Sequence, residues 1–253
     1  MLKILSVLMF MSALAAPASA ELRYITTTET RMIQTSAPPS PILGLVGGML
    51  VARMPAGSTT TTVGAGGVRM EFPMAMGMFP AGSVLLLRGG SIAVLNPQDM
   101  TYWNLSDVQS GAGLQLTPKV TTVRTGQFAM VAGLRAERST FTMSIDLPIP
   151  ANMALPPDIP RTITMEGEIW IADQFKEYAA VMAAAGNAMA AGLGIGALPQ
   201  DGLVVRQITR NALLGYEIEI TLSDIQNIPD APALFQIPAG FREVPVPRPA
   251  LPQ

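Results

Sequence analysis

The stretch GYEIEITL, residues 215–222, alternates without a break. Tyr216, Ile218, Ile220 and Leu222 fall on one side, and Glu217, Glu219 and Thr221 on the other. Successive side chains of a strand point to opposite faces, so a period of two predicts a strand. One apolar and one polar face belong to an antiparallel sheet with one side packed and the other wet.

Working upstream, residues 203–209 (LVVRQIT) and 161–172 (RTITMEGEIWIA) read as two more strands. Glu166 and Glu168 share a face of the second, as Glu217 and Glu219 share one at 215–222, and Arg206 and Arg210 lie on the strand between. Paired carboxylates can hydrolyse glycosides, but only when they converge across a cleft. Side by side on neighbouring strands, with arginines between them, these acids predict a cross-strand charge ladder on the solvent face.

Between those strands, Asp173 can cap a helix over residues 174–191 (QFKEYAAVMAAAGNAMAA), which stops at Gly192 and Gly194. Phe175, Tyr178, Met182, Ala185 and Met189 form one stripe on it. Alanine-rich, with Asn187 inside it, the segment lacks the Leu, Ile and Phe content that drives membrane insertion. It is expected to cover the concave side of a sheet.

The first half is also strand-rich. Residues 22–34 (LRYITTTETRMIQ) predict a long first strand, with short ones at 59–63 and 68–72. Residues 83–88 (SVLLLR) and 91–95 (SIAVL) flank Gly89-Gly90, a strong hairpin signal. Asn96-Pro97-Gln98-Asp99 makes a turn before Thr101-Tyr102-Trp103, and residues 105–112 suggest a short helix capped by Ser106. Further strands are expected at 120–127, 128–134 and 139–147, ahead of a proline-rich excursion at 148–160. The total is about ten strands and one long helix, a mainly β chain with a curved antiparallel sheet.

Composition narrows the function. Of 253 residues, 49% are apolar and 13% charged, roughly half the usual charged share. There is no histidine, which removes Ser-His-Asp and Cys-His nucleophile pairs and ordinary zinc sites. There is no cysteine, so neither a disulfide nor a lipid-modified cysteine can form. No catalytic role and no cofactor is expected. The opening MLKILSVLMFMSALAAPASA, residues 1–20, has the basic start, apolar core and small-residue end of a signal peptide. The mature chain then begins at Glu21 and is predicted to be periplasmic. Without Lys3 it has 15 basic against 18 acidic residues, a net charge of −3. With no basic stripe, nucleic acid is not an expected partner. The domain reading is one β domain over 21–243, interrupted by an apolar, Pro/Gly-rich insertion at 37–58 and followed by a solvated polyproline tail at 244–253. Within the insertion, residues 42–51 (ILGLVGGMLV) read as a packed excursion, or as a loop that touches a membrane or envelope protein.

The stretch MEFPMAMGMF, residues 70–79, holds Met74, Met76 and Met78 at every second position, with Phe72 on the same side. Thioethers are soft ligands suited to Cu(I). They are also adaptable apolar filler, and methionines at Met32, Met49, Met130, Met143 and Met165 show that this chain uses them so widely. Phe72, Met74, Met76 and Met78 are therefore candidates for the wall of an apolar cavity. The helix adds Phe175, Tyr178, Met182 and Met189.

The order of motifs carries a resemblance. GVRMEF (67–72), LNP (95–97), TYW (101–103), EIWIAD (168–173), the Ala/Met helix, GYEIEITLSDI (215–225) and ALFQIPAGFREV (233–244) follow one another. This resembles the exported bacterial family called domain of unknown function 4412, itself similar in pattern to the periplasmic lipoprotein carriers and receptors of the LolA and LolB kind. The ending Leu234, Phe235, Pro238, Gly240, Phe241 is the most telling piece. The resemblance implies a half-open β-barrel with an apolar concave face plugged by helices, a cavity that takes acyl chains in the carriers. Residues 133–138 (GLRAER) depart from the family by lacking its Gly-x-x-Cys element. The functional expectation is a non-enzymatic periplasmic binding protein for a lipid, acylated protein or other apolar ligand. The alternatives are an exported interaction domain with a filled core and no ligand, and a methionine-based Cu(I) binder.

Overall fold

The structure is a computed structural model that describes residues 20–33, 56–75, 79–105, 119–146, 160–184 and 202–247. The alternating stretch at 215–222 belongs to strand β11, Tyr216–Pro229. On one side β11 pairs with β1, Ala20–Met32, and on the other with β10, Leu203–Asn211. From this centre the sheet runs outward both ways. One arm continues from β1 through β2 (Gly57–Gly64), β3 (Gly67–Glu71), β4 (Val84–Arg88), β5 (Ser91–Asn96) and β6 (Thr101–Asn104) to β12 (Arg242–Glu243). The other continues from β10 through β9 (Thr162–Ala172) and β8 (Leu134–Asp146) to β7 (Lys119–Val131). The chain is mainly β, one curved, unclosed sheet in which every pairing is antiparallel save β12 beside β6.

Curvature has local causes. The register shifts between Arg23 and Ile25 against β11, where Asp224 takes a positive φ of 50°, and between Val204 and Arg206 against β9. Extra residues of this kind bend a strand and raise its twist.

Gly89 and Gly90, with φ of 54° and 83°, close the β4–β5 hairpin as the sequence predicts. The adjacent expectation for 120–134 needs correction. Residues 119–131 form one strand, and the turn falls at Ala132-Gly133, φ 52° and 78°. Gly126, φ 69°, lies where the β7–β8 register shifts, so a glycine inside a strand imitated a strand end. With β12 included, the described residues form twelve strands where about ten were expected. Residues 1–19 of the expected signal peptide at 1–20, most of the expected 37–58 insertion, residues 106–112 of the expected short helix and residues 148–159 of the proline-rich excursion lie outside the described residues.

The main core draws on both arms. Leu22 and Tyr24 of β1 meet Val63, Val68, Leu85, Leu87, Val94 and Trp103 from the first arm and Leu203, Val205, Ala172 and Ala136 from the second. A second cluster, Phe141, Met143, Ile145, Ile169 and Ile171, is confined to β8 and β9. The tail expected to be solvated is not wholly so. Val244 and Val246 pack against the main core, because alternate residues of extended VPVP point the same way.

Candidate functional site

Of the helix expected over 174–191, residues 174–184 are described, and they do not begin as a regular helix. A 3-10 turn, Lys176–Tyr178, runs into a helical segment at residues 179–184. Asp173 does not cap it with its side chain. The capping position falls on Phe175, left-handed at φ 67°, and the Asp173 carbonyl accepts the Lys176 N–H at 3.3 Å. Non-glycine residues avoid that conformation at a cost of about 1–2 kcal/mol. Here it coincides with packing, since Phe175, Tyr178, Val181 and Met182 all rest half-buried on the main core.

Phe72 belongs to that same core and is 3% exposed, stacked on Phe79 with ring centroids 5.2 Å apart. So Phe72, Phe175, Tyr178 and Met182 are brought to one cluster. Met74 is not. It is 56% exposed, because the strand ends at Glu71 and the backbone turns back, with Gly82 N–H bonding the Phe72 carbonyl at 2.7 Å. The shared face expected of Phe72 and Met74 fails for that reason. Met76, Met78 and Met189 lie outside the described residues, as does the copper reading that needs the first two. Val181 was missed by the sequence reading, although it stands three residues after Tyr178, a helical neighbour.

Tyr178 ties the segment to β1, its hydroxyl donating to the Ala20 carbonyl at 2.6 Å. Burial, then the charges of Glu177 and Glu21, raise its pKa. Beside the segment, Val181 and Ala184 face Val68, Leu87 and the Gly89-Gly90 turn across a gap of about 90 Å³. A smaller gap of about 20 Å³ lies between Phe72, Met74 and Ser58.

The acids and arginines form the expected ladder, with two additions. β10 lies between β9 and β11, with Arg210 opposite Glu166 on one side and Glu217 on the other. Arg206 pairs with Glu219 at 2.7 Å, and Arg210 and Arg31 both pair with Glu217. Arg138, from β8, meets one oxygen of Glu168 at 2.6 Å, and Trp170 Nε1 donates to the other at 3.4 Å. This face is less wet than alternation suggests. Glu217 is buried, roofed by the longer arginines. Burial alone would raise Glu217 and Glu168, but hydrogen bonds and charges from the arginines outweigh it and hold both below the ordinary carboxylate range. They stay ionised and paired at neutral pH, whereas a general acid needs the opposite shift.

Among the described residues no helix is long and apolar enough to cross a membrane. No group of three or more Asp and Glu among them is placed to hold a metal ion. No family model matches the chain, and no curated protein matches it.

Proposed function

We propose that the chain is an exported, non-enzymatic periplasmic binding protein for an apolar ligand such as an acyl chain. In this reading the curved sheet is a half-open barrel and the segment at 175–184 is its cover. The observation that carries it is the placement of Phe175, Tyr178, Val181 and Met182, half-buried on a core built from both arms of the sheet. The resemblance in motif order points the same way. A gap of about 90 Å³ is smaller than the roughly 150 Å³ that holds one benzene. The ligand therefore takes the place of the segment instead of filling a hole beside it. Each buried CH₂ contributes about 0.8 kcal/mol, so a long chain can replace the contacts that four side chains give up.

The same small volume favours a second reading, an exported interaction domain whose core is already full. A tether separates the two. The chain has no cysteine, so Ser91→Cys with Ala184→Cys forms the sole thiol pair, across that gap. Bridging the pair with a short bismaleimide should abolish binding of a fluorescent fatty acid, while the unbridged variant binds like the parent. A parent that ignores the fatty acid, or a bridged form that binds it fully, leaves the filled-core domain standing.

A further inference from the structure

Glu21 is 1% exposed, the most deeply buried charged residue of β1. One carboxylate oxygen accepts the Ala231 N–H at 2.8 Å, and the other finds no partner among the described residues. Its side chain lies over Gly64, next to the Leu22–Val63 pair of β1 and β2, where a Cβ would come within 2.9 Å of Glu21 Cγ. The ring of Phe235 closes over the same spot, 3.1 Å from that position. A buried carboxylate with a bare oxygen is costly unless a cation or further donors serve it. Yet the fold has shaped a glycine and an aromatic lid around it.

The residue before it supplies the clue. The Ala20 carbonyl accepts the Tyr178 hydroxyl at 2.6 Å, and the charge of Glu21 is felt at that hydroxyl. Ala18-Ser19-Ala20 is also the small-residue end of the leader. We propose that the Ala20–Glu21 bond is a processing site whose cleavage completes the Glu21 site, the new α-ammonium of Glu21 becoming the missing partner of its buried carboxylate and, at the exposed rim, of Tyr178 Oη. An envelope signal peptidase hydrolyses the bond. Water adds to the Ala20 carbonyl carbon, the C–N bond breaks, the carboxylate leaves with the leader, and the amine of Glu21 takes up a proton.

The covalent geometry keeps the ammonium within reach of both partners. A peptide holds its carbonyl oxygen and the next nitrogen about 2.3 Å apart, so that nitrogen lies within roughly 5 Å of Tyr178 Oη. Five bonds separate it from its own carboxylate, a distance of roughly 6 Å at most. Opposite charges that close favour the ionised pair. Tyr178 loses the Ala20 acceptor and turns its oxygen to the ammonium. Export is thereby registered in the fold, since the chain that keeps its leader has the buried charge without its counterion.

This rests on the export reading and not on the ligand. The first test is the mass of the full chain recovered from the envelope, which should begin at Glu21. A recovered chain that keeps Ala20, or loses Glu21, overturns the proposal. The second is a cycle of urea unfolding with chains that begin at Glu21 or at Ala18, each with and without Glu21→Gln. Glu21→Gln should weaken the chain beginning at Glu21 and leave unchanged or strengthen the one beginning at Ala18. The coupling should be about tenfold in the unfolding constant, as for a hydrogen bond to a charged group. Acetylating the Glu21 amine restores a carbonyl for Tyr178 but removes the charge, so it should reproduce the weaker, Ala18-like stability. Equal effects of Glu21→Gln in both chains, or an acetylated chain as stable as the free amine, would show that the ammonium does not serve the carboxylate. The export reading would survive that result.

Discussion

Glu217 shows how one residue decides what a polar face can do. Its position in the alternation predicts an exposed acid, yet Arg31 and Arg210 reach over it from the strands on either side. Glu217→Gln keeps the shape but leaves two guanidiniums facing a neutral amide, and should cost about 1–3 kcal/mol in urea unfolding at pH 7. Removing either arginine alone leaves the other pair, and both arginines are more than half exposed, so each loss should stay within about 1 kcal/mol. The pH dependence follows from the direction of the shift. Glu217 and Glu168 lie below their ordinary value of 4.5 in the fold, so their stabilisation is complete above it and drains as the pH falls through it. The parent should lose stability steeply below about pH 4.5, and Glu217→Gln should flatten that limb. An unchanged slope would mean that the carboxylate is solvated and the ladder idle.

At the scale of elements, what could be read depended on whether a local signal was unambiguous. Gly89-Gly90 has no other good use than a tight turn, and the hairpin sits where the sequence puts it. Ala132-Gly133 makes the same type of turn with a residue that dislikes it, while Gly126 offers a false break six residues earlier. The turn residues that suit positive φ at both positions are Asn-Gly. Ala132→Asn should therefore stabilise the β7–β8 hairpin by about 0.5–1 kcal/mol, measured as a raised unfolding midpoint with an unchanged denaturant slope. A loss of stability would show that the Ala132 methyl is packed. The candidate cover was legible in its stripe, from Phe175 through Tyr178 to Met182, because that spacing survives whether the turn is 3-10 or α. Its left-handed start at Phe175 was not, since nothing in the residue type asks for it. Nor was the exposure of Met74, which depends on where β3 stops and not on the period of the methionines.

The whole molecule raises the question of how many cooperative units twelve strands make. The sheet could be cut at the β1–β11 seam, with β2 to β6 and β12 on one side and β7 to β10 on the other. Two features argue against two units. β1 and β11 pair along nearly their full lengths, from Ala20↔Pro229 to Met32↔Tyr216. The main core also crosses the seam, placing Leu22 and Tyr24 among residues of both arms. A half of the sheet alone would leave that core open, exposing apolar surface at about 25 cal/mol per Å². The chain carries one tryptophan in each arm, the buried Trp103 on β6 and the half-buried Trp170 on β9. Trp103→Phe and Trp170→Phe therefore give two single-tryptophan proteins, each reporting the opposite arm. Trp103→Phe removes part of a close-packed core and will lower its own midpoint, so each variant is compared with its own far-ultraviolet circular dichroism. In both, the fluorescence and dichroism transitions should coincide, and Leu22→Ala should shift them together by the same 2–5 kcal/mol, to within about 0.5 kcal/mol. If the Trp170 signal survives while the dichroism has already fallen by half, the arms are separate domains. The core at Leu22 would then be an interface between them, and a ligand that displaces the segment at 175–184 would loosen that interface without having to open a barrel.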